Sequence, residues 1–188
     1  ELIPGSHLEV FLMTVGPGDV IWERFSHNAL VIRDDITDTE IAYNWGIFDF
    51  NESDFIPRLL KGQMRYWMAS YRPTDMIESY RRANRNVWIQ KINLTPNQRL
   101  DLQDHLRETD TEANRYYQYD YYRDNCSTRI RDALDHILSG QIRAAVEVIE
   151  TENTYRWHTA RILEPVLLAY SGIQFVVGNR GDKPISAW

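Results

Sequence analysis

HLEVFLMTV, residues 7–15, alternates large apolar side chains with smaller or polar ones, and GPGD at residues 16–19 interrupts it. This pattern is typical of a β-strand that ends in a tight turn. Two further apolar stretches, NALVIR (28–33) and IAYNW (41–45), flank an acidic loop at residues 34–40. They predict a hairpin, and His27 stands at its entrance.

Outward from this hairpin, the pattern predicts strands at 63–71 and 86–94 and an extended aromatic stretch at 114–122. A short strand is also expected at 173–177. The expected order is strands first and helices later, which is typical of an α+β fold with an antiparallel sheet packed against helices.

Helix signals lie mainly in the second half of the chain. Thr95, Pro96 and Gln98 form a strong start signal for a helix to about residue 108, and Asp75 with Glu78 resembles a capping box for a helix to residue 82. A helix is also expected from Cys126 to Leu138, with Asp124-Asn125 as the capping pair at its start and Gly140 at its end. The remaining expected helices are a short turn at 21–25 capped by Asp19, a short helix at 53–62, and helices at 141–150 and 154–170, the last disturbed by Pro165.

Composition narrows the class of protein. The 188 residues suit one domain (residues 1–188), and 43% apolar with 26% charged residues indicates a globular chain. A formal charge of −6 has the wrong sign for a general nucleic-acid binder. No apolar run is long enough for a membrane span, and the first residues lack the regions of a signal peptide. The single cysteine excludes an internal disulfide and any multi-cysteine metal site.

That cysteine, Cys126, opens a predicted helix, where unpaired N–H groups and the helix dipole favour thiolate over thiol. The same N–H groups could hold an oxyanion. His27 is the best candidate base, and Asn44, seventeen positions on, could orient it. The alternatives stay open, because a free cysteine is usually a small buried hydrophobe and a strand-edge histidine is often structural.

Further candidates surround the cysteine. Arg129 and Asn125 are candidates for binding substrate: Arg129 could hold a carboxylate or phosphate, and Asn125 makes the helix entrance polar. A solvated or ion-paired Arg129 would be more ordinary. Asp132 and His136 could touch a cation but fit a helix-face contact better. His105 and His158 are interpreted as surface or packing residues. No metal or other cofactor is expected. The tyrosines at 116–122 could stack on sugars or lipid tails, or pack a sheet face.

The set of motifs resembles a bacterial family, the lacto-N-biosidase N-terminal periplasmic domain-like family. The motifs that carry the resemblance are GPGD (16–19), RFSHNAL (24–30), YNWGIFDF (43–50), YD (119–120), DNCSTR (124–129) and GDKPI (181–185). The family is similar to permuted papain-like proteins of the NlpC/P60 and lecithin:retinol acyltransferase kind. In those proteins a histidine on an early strand precedes a cysteine that opens a helix. Many of its members have Gly where this chain has Ser26.

The resemblance implies a permuted papain-like fold in which Cys126 is the nucleophile and His27 the base. Asn44 would orient that base, with Asp49 as the second candidate for this role. It also implies a periplasmic or envelope setting. We therefore expect a cysteine-dependent hydrolase or acyltransferase acting on an amide or ester of an envelope lipid or peptide. The alternative is a non-catalytic binding or accessory module; no paired-carboxylate signature supports glycosidase chemistry.

Overall fold

The computed structural model describes residues 3–20, 23–49, 64–166, 170–172 and 179–185. One antiparallel sheet of six strands forms its centre, in the order β5-β1-β2-β3-β4-β6. The strands are β1 (Leu8–Val15), β2 (His27–Asp34), β3 (Thr39–Ile47), β4 (Arg65–Tyr71), β5 (Val87–Ile92) and β6 (Tyr116–Gln118). The predicted α+β class and antiparallel sheet are confirmed at this level.

The predicted hairpin is formed by β2 and β3. Ala29 lies opposite Asn44 in its register, and on the other side of β2 His27 lies opposite Val15. Pairing of β3 with β4 shifts between Trp45 and Ile47, and Gly46 there has a φ of 94°. Such a left-handed backbone suits glycine, and the irregularity bends the strand end.

The helices are α1 (Pro73–Arg82), α2 (Pro96–Thr109), α3 (Cys126–Ile137), α4 (Gln141–Val146) and α5 (Tyr155–Leu163), followed by a 3₁₀ turn (Asn179–Asp182). The capping box of α2 is confirmed: Thr95 N donates to Gln98 Oε1 at 2.9 Å, and Gln98 N donates to Thr95 Oγ1 at 3.4 Å. The capping box expected for α1 is wrong. Its N-cap is Arg72 with no side-chain cap, because Pro73 starts the helix and Asp75 pairs with Arg72 at 3.0 Å.

The two faces of the sheet are covered by different helices. Since side chains alternate along a strand, Leu30 and Ile32 point to the face that packs against Ile130 and Ala133 of α3. Ala29, Val31 and Ala42 point to the opposite face and pack with Met76 of α1. Both faces of β2 are therefore buried, and its first residues lie between α1 and α3.

Several element ends differ from the expected ones. The aromatic stretch at 114–122 is strand only at Tyr116–Gln118, α4 ends at Val146 and not at 150, and α5 ends at Leu163. Pro165 follows α5 by two residues, and a helix rarely continues through the residue that precedes a proline. The predicted helix at 53–62, the strand at 173–177 and part of the turn at 21–25 lie outside the described residues. Within the described ranges, no helix is both long and apolar enough to cross a bilayer.

Candidate active site

Cys126 is the first residue of α3, and Asn125 holds it there. The Asn125 side-chain oxygen accepts from Ser127 N at 2.9 Å and from Thr128 N at 3.1 Å, while Asn125 N donates to Thr128 Oγ1 at 2.8 Å. This reciprocal cap was anticipated in part from the Asp-Asn pair before the cysteine. The cap accepts hydrogen bonds from the N–H groups of Ser127 and Thr128. The N–H of Cys126, in the same first turn, does not bond to the cap and is available as a donor.

The cysteine is half-buried over the strand ends of the sheet. It packs against the core on the α3 face, and a Cβ atom added at Gly46 would lie 3.9 Å from Cys126 Cβ. Ser26, which precedes His27, has a φ of 62°. Glycine reaches that conformation more easily, which gives a physical reason for the Gly that the resemblance associates with this position.

His27 and Asn44 are hydrogen-bonded to each other and line the same cavity. His27 Nε2 is 2.9 Å from Asn44 Oδ1, and Asn44 is only 1% exposed. The Asn44 amide nitrogen donates to Ala42 O at 3.4 Å and to Met76 Sδ at 3.1 Å, two groups that can only accept. This fixes the amide so that Oδ1 accepts from Nε2–H. His27 Nδ1 is therefore the nitrogen left for the cysteine.

The electrostatics of the pair favour its charged form. Burial alone raises the pKa of the Cys126 thiol, but a hydrogen bond to His27 and the charge of its ring outweigh burial and lower that pKa. For His27, burial lowers the pKa, while the hydrogen bond and charge of Cys126, together with the bond to Asn44, raise it above its ordinary value. These opposite directions are what a thiolate–imidazolium pair requires.

Two contacts to the sulfur were missed by sequence reasoning. The backbone N–H of Asn28 and the hydroxyl of Ser127 both lower the pKa of the Cys126 thiol, after the larger effects of burial and His27. Ser127 Oγ lies 4.0 Å from Cys126 Sγ. Strand alternation predicts the face of the Asn28 side chain but neither the role of its backbone N–H nor the approach of Ser127, so the sequence contained no signal for these contacts.

Arg129 and Asn125 already have protein partners. Arg129 makes a two-pronged ion pair with Asp124, with Nη2 donating to Oδ2 at 2.6 Å, and its guanidinium lies 4.3 Å from the ring centroid of Tyr117. Asn125 Nδ2 donates to Tyr121 O at 2.9 Å. The pair offsets the negative charge of the Asp124 carboxylate, a charge that would raise the pKa of a neighbouring thiol. Substrate binding by Arg129 or Asn125 stays a prediction.

Aromatic rings from the 116–122 segment pack together near Cys126. Tyr119 stacks on Tyr66 with 4.2 Å between ring centroids, and Tyr121 meets Phe25 edge-on at 4.8 Å. Burial raises the pKa of Tyr119 and Tyr121 well above the ordinary value, and the Cys126 charge adds to this. The rings therefore form neutral, low-polarity walls beside the thiol.

A cavity of about 310 Å³ reaches the histidine from the α1 face of the sheet. Its lining comprises His27, Asn44, Ile47, Tyr71, Asp75, Met76, Ser79 and Tyr80. A second cavity, of about 320 Å³, lies beside α3 between Thr128, Val146 and Tyr155. The first one gives a small molecule or a side chain access to the imidazole.

The other predicted candidates lie elsewhere. His105 and His136 face each other between α2 and α3, with 5.1 Å between ring centroids, and Asp132 pairs with Arg131. The expected helix-face contact between Asp132 and His136 is thus replaced by these partners. In the part of the chain that the structure describes, no group of three or more His, Cys, Asp or Glu side chains could hold a metal ion.

Comparison with known proteins identifies the family. The family model described as the Lnb N-terminal periplasmic domain matches residues 2–165, so the chain belongs to this family. The membership confirms the resemblance seen in the motifs and the predicted periplasmic setting. No curated protein and no solved structure matches the chain significantly.

Proposed function

We propose that this member of the Lnb N-terminal periplasmic domain family is a cysteine-dependent acyl-transfer enzyme, built as one permuted papain-like domain over residues 1–188. Cys126 is the nucleophile, His27 the base and Asn44 the group that orients the base. The observation that carries the proposal is the hydrogen bond of His27 with buried Asn44, next to a cysteine whose thiol pKa His27 lowers. Nucleophile, base and orienting amide in that order are the parts that thiol acyl transfer requires.

In the first half-reaction the Cys126 thiolate attacks the carbonyl carbon of an ester or amide. A C–S bond forms, and the carbonyl electron pair moves onto oxygen. The Cys126 N–H, which the Asn125 cap leaves over, is a donor for that oxyanion. The leaving alcohol or amine departs with the proton of His27 Nδ1, and a thioester on Cys126 remains.

In the second half-reaction an acceptor attacks the thioester. Nδ1 of His27 takes the proton of water, an alcohol or an amine, the acyl group moves to that acceptor, and the Cys126 thiolate is regenerated. Water as acceptor gives hydrolysis, and another nucleophile gives acyl transfer. The cavity on the α1 face reaches the imidazole and so offers a route for the acceptor or the leaving group.

Both a lipid and a peptide of the envelope fit as the acyl donor. The aromatic walls formed by Tyr66, Tyr119 and Tyr121 favour an apolar acyl group beside the thiol. The charge of −6 argues against strong attraction to an anionic bilayer surface. The rival function, a binding or accessory module on the same scaffold, would leave Cys126 without an acylated form.

The test is acylation of the cysteine. The protein is incubated with a p-nitrophenyl acyl ester, a diacyl phospholipid and a peptide amide, quenched in acid, and analysed by intact mass and peptide mapping. We expect a thioester on Cys126 with at least one donor, no adduct in Cys126→Ala, and a strongly reduced amount in His27→Ala. Unmodified Cys126 with all three donors in the folded protein would support the accessory module.

A further inference from the structure

Asn28 continues the strand that carries His27, but its side chain lies on the opposite face of the sheet. Its Oδ1 accepts from the Thr14 hydroxyl at 2.9 Å, across the β1–β2 ladder in which these two residues are partners. Its Nδ2 donates to Ser127 Oγ at 2.9 Å. Because an amide oxygen only accepts and an amide nitrogen only donates, these two bonds fix the orientation of the side chain.

The orientation of Asn28 determines what the Ser127 hydroxyl can do. Ser127 Oγ already accepts from Asn28, so its own hydrogen is left to donate, and Cys126 Sγ lies 4.0 Å away. The backbone N–H of Asn28 also lowers the pKa of the Cys126 thiol. The Ser127 hydroxyl, oriented by the Asn28 amide, is therefore available to donate to the thiolate from the α3 side of the sheet.

We propose that Thr14, Asn28 and Ser127 form a sulfur clasp, a set of positioning residues that holds the Cys126 sulfur in place and favours its anionic form. The proposal rests on the proposed function, since a held thiolate matters only if the sulfur reacts. Its parts have separate tasks. Thr14 orients the Asn28 amide, the amide orients the Ser127 hydroxyl, and that hydroxyl together with the Asn28 N–H stabilises the sulfur anion.

The clasp has a consequence that a packing role would not have. Asn28→Asp keeps the size of the side chain and the bond from Thr14, but it replaces the donor by a carboxylate oxygen. The Ser127 hydroxyl would then donate to that carboxylate and turn away from the sulfur. A nearly isosteric change should therefore weaken the thiolate, and the added negative charge acts in the same direction.

The experiment measures the rate of Cys126 alkylation by iodoacetamide against pH, with the thiolate followed independently by its ultraviolet absorbance. Relative to the wild type, we expect the midpoint to rise by about one pH unit in Asn28→Asp and by about half a unit in Ser127→Ala. Ser127→Thr keeps the hydroxyl and should restore the wild-type profile. Thr14→Val, which removes only the most distant bond, should give the smallest shift. Circular dichroism establishes that each variant is folded.

Coincident profiles for the wild type and folded Asn28→Asp would overturn the clasp. His27→Ala separates this result from the proposed function. If His27→Ala raises the midpoint while Asn28→Asp does not, the dyad stands and the clasp fails. If Asn28→Asp and the uncharged Ser127→Ala both raise it while His27→Ala does not, the clasp stands and the proposed catalytic dyad fails.

Discussion

Two histidine sites in this molecule differ in the direction in which the protein shifts their pKa. At the cysteine, burial opposes the charged ring of His27, yet Cys126 and Asn44 raise its pKa. Between α2 and α3, burial and the charge of the neighbouring His136 ring both lower the pKa of His105, and Glu108 only partly opposes them. Burial lowers the pKa of the histidine at both sites. The neighbouring groups therefore decide whether a histidine can hold a proton beside a reacting group.

The largest expected effect comes from removing each histidine in turn. His27→Ala should slow iodoacetamide alkylation of Cys126 at pH 6.5 by about 10- to 100-fold, because an unassisted thiol of pKa about 8.5 is only about 1% thiolate there. His136 lies on the same helix as Cys126 but contacts His105. His136→Ala should therefore change the alkylation rate less than about twofold. Equal rates in the two folded variants would contradict the distinction between the sites.

A smaller effect is expected from the group behind His27. Asn44→Ala removes the acceptor of the Nε2 hydrogen and one hydrogen bond that raises the pKa of His27. We expect alkylation of Cys126 to slow by up to about tenfold and the free energy of unfolding to fall by about 1–3 kcal/mol, the cost of leaving buried polar groups unpaired. Quenched alkylation assays measure the rate, and urea unfolding measures the free energy of unfolding.

Asn114→Ala is the matched control for this prediction. Its amide donates to Glu108 O at 3.0 Å from an exposed position remote from the cysteine. We expect it to leave the alkylation rate unchanged and to cost less stability than Asn44→Ala. If both variants lost the same stability and neither changed the rate, Asn44 would be a structural residue only.

Local sequence signals predicted much of this arrangement. Strand alternation and the GPGD turn located the hairpin, and register then brought Asn44 onto the face of His27. The cap before Cys126 was visible in the Asp-Asn pair. These features depend on neighbours in the chain, which is why a single sequence contains them.

The rest depends on contacts between distant segments. Nothing local indicates that Ser127 would meet Asn28, ninety-nine positions earlier, or that His105 and His136 would face each other across two helices. The sequence favoured a solvated or ion-paired Arg129 but did not identify Asp124 as its partner. Side-chain pairing across the fold is set by how helices pack on the sheet, and periodicity fixes the faces but not the partners.

The smallest expected effect concerns the pH dependence of stability at the second histidine pair. Because the pKa of His105 is lower in the folded protein than its ordinary value of 6.5, the unfolded chain binds the proton more readily. Stability should therefore fall as the pH drops below 6.5 toward the folded pKa.

His105→Gln removes this proton uptake, so its free energy of unfolding, measured by urea at intervals from pH 5 to 8, should decline less steeply below pH 6.5. His136→Gln should flatten the curve in the same direction by removing the neighbouring charge. Parallel curves for all three proteins would show that the facing rings do not interact electrostatically, and the contrast with His27 would then rest on Cys126 and Asn44 alone.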